Sequence, residues 1–219
     1  MSLLSLPNEL IILIAGGLTT TRDVNTLIRT NRRLWSLLTS RLNALALEKK
    51  DGVTALHWAV VNHHGPLVHL LLRLGVTVDV REDVESGAPI HWGAKHGHEK
   101  MVHILLSNGA DIAACNDFNE TPLHWAAAFG NLQMVRLLLE EGKMKDGYVD
   151  MRDNHGGTAL DWAARYGYVD VCKCLLEWGA DVNVKDAFGG TAGRSAEASG
   201  YEEVARLLRA REDCEEAGL

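Results

Sequence analysis

The side chains with the greatest chemical capacity are an imidazole and a carboxylate that hold the same place in two copies of one phrase. His124 lies in Thr121-Pro122-Leu123-His124-Trp125-Ala126-Ala127, and Asp161 replaces it in Thr158-Ala159-Leu160-Asp161-Trp162-Ala163-Ala164. If the copies stack, the two groups become neighbours. A carboxylate–imidazole pair bordered by Glu120, His96 and aromatic rings could then run acid–base chemistry. The competing reading is a hydrogen bond that fixes two neighbouring helix starts. No nucleophile elbow, phosphate loop or zinc motif accompanies the pair, so catalysis stands as the alternative and not as the leading expectation. His63-His64 and His96/His98 lack the spacing of a helical ligand set, and no metal or cofactor is expected.

Further copies of the phrase are Thr54-Ala55-Leu56-His57-Trp58-Ala59 and Ala88-Pro89-Ile90-His91-Trp92-Gly93-Ala94. Trp58, Trp92, Trp125 and Trp162 follow one another at 34, 33 and 37 residues. A period this regular means an array of one small unit that buries its apolar face only against its neighbours. The 219 residues carry a net charge of −7, which excludes a large phosphate-neutralising surface and hence nucleic acid as a partner. Four cysteines are too few for a disulfide scaffold, and reduced thiols in a cytoplasmic or nuclear protein are expected. In Cys172-Lys173-Cys174, helical neighbours two apart face different ways, so one buried and one half-buried thiol is expected, with no redox or metal role.

The third copy shows how each unit is built. Thr121 suits an N-cap and Pro122 the first helical position. His124, three residues past the cap, can reach back to it as a capping-box acid would. Ala126-Ala127-Ala128 keeps that helix thin, and Gly130 ends it. A second helix follows with Leu132, Val135, Leu138 and Leu139 inward, and Gly142 is expected to stop it in the left-handed region.

These residues resemble the ankyrin repeat, whose pattern is Gly-x-Thr-Pro-Leu-His-x-Ala-Ala … Gly-His … Leu-Leu … Gly-Ala-Asp-Val-Asn. The fourth unit matches best, with Gly156-Gly157-Thr158-Ala159-Leu160, Ala163-Ala164, Gly167, Leu175-Leu176 and Gly179-Ala180-Asp181-Val182-Asn183. The resemblance implies an all-α solenoid of antiparallel helix pairs with projecting hairpin tips and a concave face. Five repeats are read over 49–212, at 49–81, 82–115, 116–152, 153–185 and 186–212. The last is degenerate: Gly193-Arg194-Ser195 replaces Leu-His-Trp, and Glu197, Glu202, Glu203, Arg206 and Arg209 make it polar, as an end cap facing water must be. Residues 213–219 are expected to be a frayed acidic tail. His63 stands where a turn glycine is usual, so an irregular first turn is expected. Lys143 to Tyr148 lengthen the third hairpin, either as a neutral insertion or as a functional loop.

Residues 1–48 read as three short helices. The run Leu10–Leu18 follows Pro7 and Glu9 with no basic residue before it, and is too short to span a bilayer; a buried helix is expected, with no signal peptide and no membrane partner. Leu6-Pro7-Asn8-Glu9-Leu10, Ile14, Leu18 and Asn31-Arg32-Arg33-Leu34-Trp35 resemble an F-box. An F-box-like segment followed by repeats is similar to proteins numerous in filamentous fungi. The resemblance implies a Skp-type adaptor of a cullin–RING ubiquitin ligase as partner, docked by Leu6, Pro7, Leu10 and Ile14. The same segment would also serve as a helical cap for the first repeat.

In the ankyrin repeat, partners touch the tips and the inner-helix surface. Carried over, the tips here are Asp51, Val53, Glu85, Gly87, Asp117, Phe118, Glu120, Asn154, His155, Gly157, Ala187 and Phe188. The inner-helix surface adds Asn62, Lys95, His96, Ala128, Phe129, Arg165 and Tyr166. Trp92, His96, Trp125, Phe129, Trp162 and Tyr166 would gather into one aromatic groove, of the kind that makes hot spots and ligand pockets. The tryptophans also suit packing between units, whereas Phe118, Phe129, Tyr166 and Phe188 do not. The leading expectation is a monomeric protein–protein interaction module, which the F-box-like segment would make a ubiquitin-ligase substrate receptor. The alternative is a small-molecule binder or unusual enzyme of the groove, as in fungal secondary metabolism.

Overall fold

The computed structural model describes residues 54–82 and 86–216. The expected F-box-like segment 1–48, with Leu6, Pro7, Leu10 and Ile14, lies outside the described residues, as do the tip residues Asp51, Val53 and Glu85. Among the described residues there are ten α-helices and no strand. They form five pairs: α1 (Ala55–Val61) with α2 (Gly65–Arg73), α3 (Pro89–Lys95) with α4 (Glu99–Ser107), α5 (Pro122–Ala128) with α6 (Leu132–Gly142), α7 (Ala159–Arg165) with α8 (Val169–Glu177), and α9 (Ala192–Ala198) with α10 (Glu202–Glu216).

Each first helix is seven residues long, too short to persist in water by itself. Packing holds it: α1, α3, α5, α7 and α9 stack in order to make one layer, and α2, α4, α6, α8 and α10 stack beside them. The sequence register is kept through the whole core. In the first four units the second residue past the first-helix cap is Leu56, Ile90, Leu123 or Leu160, all 0–1% exposed. The fourth and seventh residues past each second-helix cap are Val68 and Leu71, Val102 and Leu105, Val135 and Leu138, Cys172 and Leu175, then Ala205 and Leu208, all buried. Each Leu so placed stabilises the stack by about 2 kcal/mol through burial.

Four details depart from expectation. His63 has φ 55°, the left-handed conformation that Gly97, Gly130, Gly167 and Gly200 adopt at the same turn, so the first turn is regular in shape and the strain falls on an imidazole-bearing residue. Gly142 does not take the left-handed stop; it remains inside α6, and Gly147 (φ 68°) supplies the turn instead. The reason is close approach: a Cβ on Gly142 would sit 2.4 Å from the ring of Tyr148. Tyr148 opens a 3-10 turn (Tyr148–Asp150), is buried, and donates its hydroxyl to the Ile112 carbonyl at 3.3 Å. The long hairpin therefore returns to the core through one aromatic plug, while Met144 at its apex is almost fully exposed. Third, Cys172 and Cys174 are both buried, because their helix is covered on two sides by α6 and α10; burial pushes the Cys172 thiol up to about 12. Finally, α10 continues to Glu216, so the first residues of the expected frayed tail are helical.

Candidate functional site: an aromatic groove

The tips are ordered by one side chain each. Asn116 Oδ1 accepts from the N–H groups of Phe118 (3.0 Å) and Glu120 (2.8 Å). Asp153 Oδ1 does the same for His155 (2.8 Å) and Gly157 (2.9 Å), and Asp186 Oδ1 for Phe188 (2.9 Å) and Gly190 (2.8 Å). These Asx-type turns fix the tip backbone without a strand ladder. Neighbouring tips are tied by Asn154 N–H to the Phe118 carbonyl (2.9 Å) and Ala187 N–H to the His155 carbonyl (2.7 Å).

The tips in turn orient the tryptophans. In two of these tips a carboxylate reaches an indole: Trp125 Nε1–H donates to Glu120 Oε2 at 2.9 Å, and Trp162 Nε1–H to Asp153 Oδ2 at 2.8 Å. Asn116 holds the Glu120 carboxylate from behind at 2.8 Å. Trp125 is 6% exposed and largely serves packing between units, whereas Trp92 and Trp162 are half-buried. Trp92 meets Trp125 edge to face, with centroids 5.8 Å apart, and stacks on His96 at 6.0 Å.

Between these rows lies a groove of about 500 Å³. Of the residues expected to bind, Phe118, Glu120, Trp125, Phe129, Trp162 and Tyr166 line it together, and Lys95, His124, Ala128 and Tyr168 complete the wall. Phe118, Phe129 and Tyr166 remain 52%, 51% and 47% exposed. Trp92 and His96 stand behind it through the Trp92–Trp125 contact. Four more expected residues are also outside the lining. Asp117 is engaged by Arg81 (3.1 Å) and Ser86 (2.5 Å), Arg165 by Asp161 (2.9 Å), and His155 and Phe188 are exposed at the tips. Tyr168 has no forerunner in the sequence reading. It caps α8 and folds back under the preceding turn, where a Cβ on Gly130 would lie 2.4 Å from its ring. The only sequence signal is an aromatic residue after the turn glycine, a position that His98 and Asn131 fill in the earlier units.

The expected His124–Asp161 pair does not form. His124 Nδ1 accepts from Thr121 N–H (3.1 Å) and from the Thr121 hydroxyl (2.8 Å), and Nε2–H donates to the Gly157 carbonyl (3.3 Å). Both ring nitrogens are spent. His57 and His91 do likewise, donating Nε2–H to the carbonyls of Gly87 (2.9 Å) and Glu120 (3.1 Å). Each repeat histidine therefore starts its own helix and fastens it to the next unit. A backbone N–H donates to Nδ1 of His91 and of His124 while Nε2 faces a carbonyl, so these two are neutral Nε2–H tautomers. Burial lowers His91 to about 4 against the pull of the surrounding carbonyls, and burial lowers His124 as well. Asp161, a carboxylate with no proton to donate, accepts instead from Ser195 of the fifth unit and from Arg165. Burial raises its carboxyl above the usual range, and the Ser195 and Arg165 contacts hold it back. His124 and Asp161 are both engaged in contacts that start a helix and join two units. Among the described residues no group of three or more His, Cys, Asp or Glu could hold a metal, and no helix is long and apolar enough to cross a membrane.

Stacked helix pairs with side-chain-ordered tips and a ring-lined groove define a helical repeat protein. The family model described as ankyrin repeats (three copies) matches residues 29–116 and again 90–186. The chain belongs to the ankyrin-repeat family. The first match begins inside the segment expected to be F-box-like. No curated protein matches the chain.

Proposed function

We propose that this chain is a protein–protein interaction module whose partner lies across the tips and inner helices and anchors in the aromatic groove. Ankyrin repeats support protein partners as the class. The observation that carries the anchor is the exposure of Phe118, Phe129 and Tyr166 around one groove, where the framework needs no large apolar surface. Rings that face water in a preformed concavity are the usual seat of interface hot spots. A random peptide library displayed on phage and selected on the full chain tests this. Selected peptides should lose about tenfold or more in affinity against Phe129→Ala and Tyr166→Ala, a hot-spot-sized effect, and keep it against Phe188→Ala. Peptides indifferent to the first two variants would remove the groove from the interface.

The Leu6-Pro7-Asn8-Glu9-Leu10 opening supports a second docking end for a Skp-type adaptor, making the chain a ubiquitin-ligase substrate receptor of fungal type. Co-purification with such an adaptor, lost in Leu10→Asp while the repeats still unfold at an unchanged temperature, is the expected result. Loss of the folded repeats would identify the segment as a cap alone. The groove volume also lies in the range of small-ligand pockets, which supports the alternative of a small molecule in place of a peptide anchor. A thermal-shift screen with metabolites separates the two.

A further inference from the structure

Lys95 ends α3 with its ammonium among three rings. Nζ lies 4.6 Å from the Trp92 ring centroid, 5.0 Å from Trp125 and 5.1 Å from Phe129. An aromatic face carries negative potential, and a cation within about 6 Å of the centroid is attracted to it. Three faces on one charge make an ammonium cage drawn from two successive units.

The cage does not depend on Lys95 for its shape. Trp125 is buried, and its indole N–H is fixed by Glu120, which Asn116 fixes in turn. Trp92 is set at right angles to Trp125 and backed by the parallel His96 ring. Phe129 is half in water, so the cage is open on that side and continuous with the groove. Glu120 lines the same groove, and its Oε1 has no partner among the described residues, which leaves a carboxylate oxygen for an incoming cation. The present occupant reaches the cage on a chain of four rotatable carbons that ends in a strongly hydrated head.

We propose that the Trp92–Trp125–Phe129 cage is a recognition site for an alkylammonium group on the partner, a lysine side chain or its N-methylated form, and that Lys95 is the tethered occupant it displaces. The proposal rests on the groove being the partner's docking site and adds the chemistry of the anchor. Removing Lys95 vacates the cage and removes the like charge that opposes a guest. N-methylation of the guest weakens its hydration and adds ring contact, which favours it over the resident primary ammonium.

The test uses the full chain, wild type and Lys95→Ala, titrated with butylammonium, choline and the uncharged isostere of choline, 3,3-dimethylbutan-1-ol, and followed by tryptophan fluorescence. Lys95→Ala should bind at least one cation about tenfold more tightly than wild type and about tenfold more tightly than the uncharged isostere. Adding Phe129→Ala, a half-exposed position that the fold tolerates, should abolish the gain. Preference for choline identifies the methylated guest, and preference for butylammonium identifies plain lysine. Equal binding of the isostere, or no gain on removing Lys95, overturns the proposal. Peptides selected on the wild-type chain and sensitive to Tyr166→Ala would in that case still stand, so failure of the cage is distinguishable from failure of the groove.

Discussion

The first three junctions of the stack and the fourth solve one problem with opposite chemistry. Between units one and two, two and three, and three and four, a buried imidazole donates to a backbone carbonyl 29–33 residues ahead. Between units four and five, a buried carboxylate accepts from the Ser195 hydroxyl, with Arg165 as its counter-charge. A carbonyl is present whatever residue the next unit carries, so the imidazole junction is indifferent to its neighbour's sequence. The carboxylate junction requires a hydroxyl at one position. Ser195 stands where the other units have tryptophan, and the exchange of both residues ties the degenerate last unit to the fourth alone.

The comparison can be broken most forcefully at His124. His124→Ala removes bonds at both nitrogens, leaves the Thr121 N–H without its acceptor and opens a cavity, and should cost about 3 kcal/mol in urea unfolding. A loss below about 1 kcal/mol would show that stacking contacts alone hold the junction. The pH response comes next. The folded state depresses His91 from an ordinary 6.5 to about 4, so unfolding takes up a proton in that window. Stability is complete above pH 6.5 and falls as the pH drops toward 4, by about 2 kcal/mol from His91 alone on going from pH 7 to pH 5. His124 shifts in the same direction and adds to the loss. Asp161 has the opposite sign: its raised carboxyl makes the folded state bind a proton more readily, so acid relieves the fourth junction while it weakens those of His91 and His124. His91→Gln should flatten the pH dependence of the melting temperature; an unchanged slope would place the effect elsewhere.

Smaller effects sharpen the contrast. Ser195→Ala leaves the Asp161 carboxylate with Arg165 as its remaining partner and should cost about 1–2 kcal/mol. Hydrogen exchange should rise in α9 and α10 and leave α5 and α6 unaffected; a rise spread over all units would mean that the last unit is not separately held. Phe129→Ala and Tyr166→Ala should each change stability by less than about 0.5 kcal/mol, because the rings stand half in water. Rings that carry recognition and not packing give that result.

What the sequence made legible was the periodic part. The phrase around each tryptophan placed the first helices, the capping histidines and the buried Leu and Val register, because these depend on spacings within one unit. Contacts between units were not legible. The acceptors for His57, His91 and His124 are backbone carbonyls, which no residue type marks. Lys95 follows Trp92 by three residues on one helix, so that pair was within reach, but Trp125 and Phe129 join it only once α3 and α5 have stacked. Gly142 reads as a left-handed stop, the role that Gly75, Gly109 and Gly179 fill at positive φ. It stays helical because the ring of Tyr148, six residues on, occupies the space that a side chain would have filled.

That plug sets how the stack can grow. The chain leaves at Gly142 and rejoins at Tyr148, both buried, while residues 143–147 are exposed and Met144 faces water. With the exit and the return anchored, the length of chain between them does not enter the register of the next unit. A whole small domain spliced in after Met144 would carry a loop-closure cost that grows only with the logarithm of its length. The third hairpin is thus a port at which cargo can be hung on the array without disturbing either neighbour.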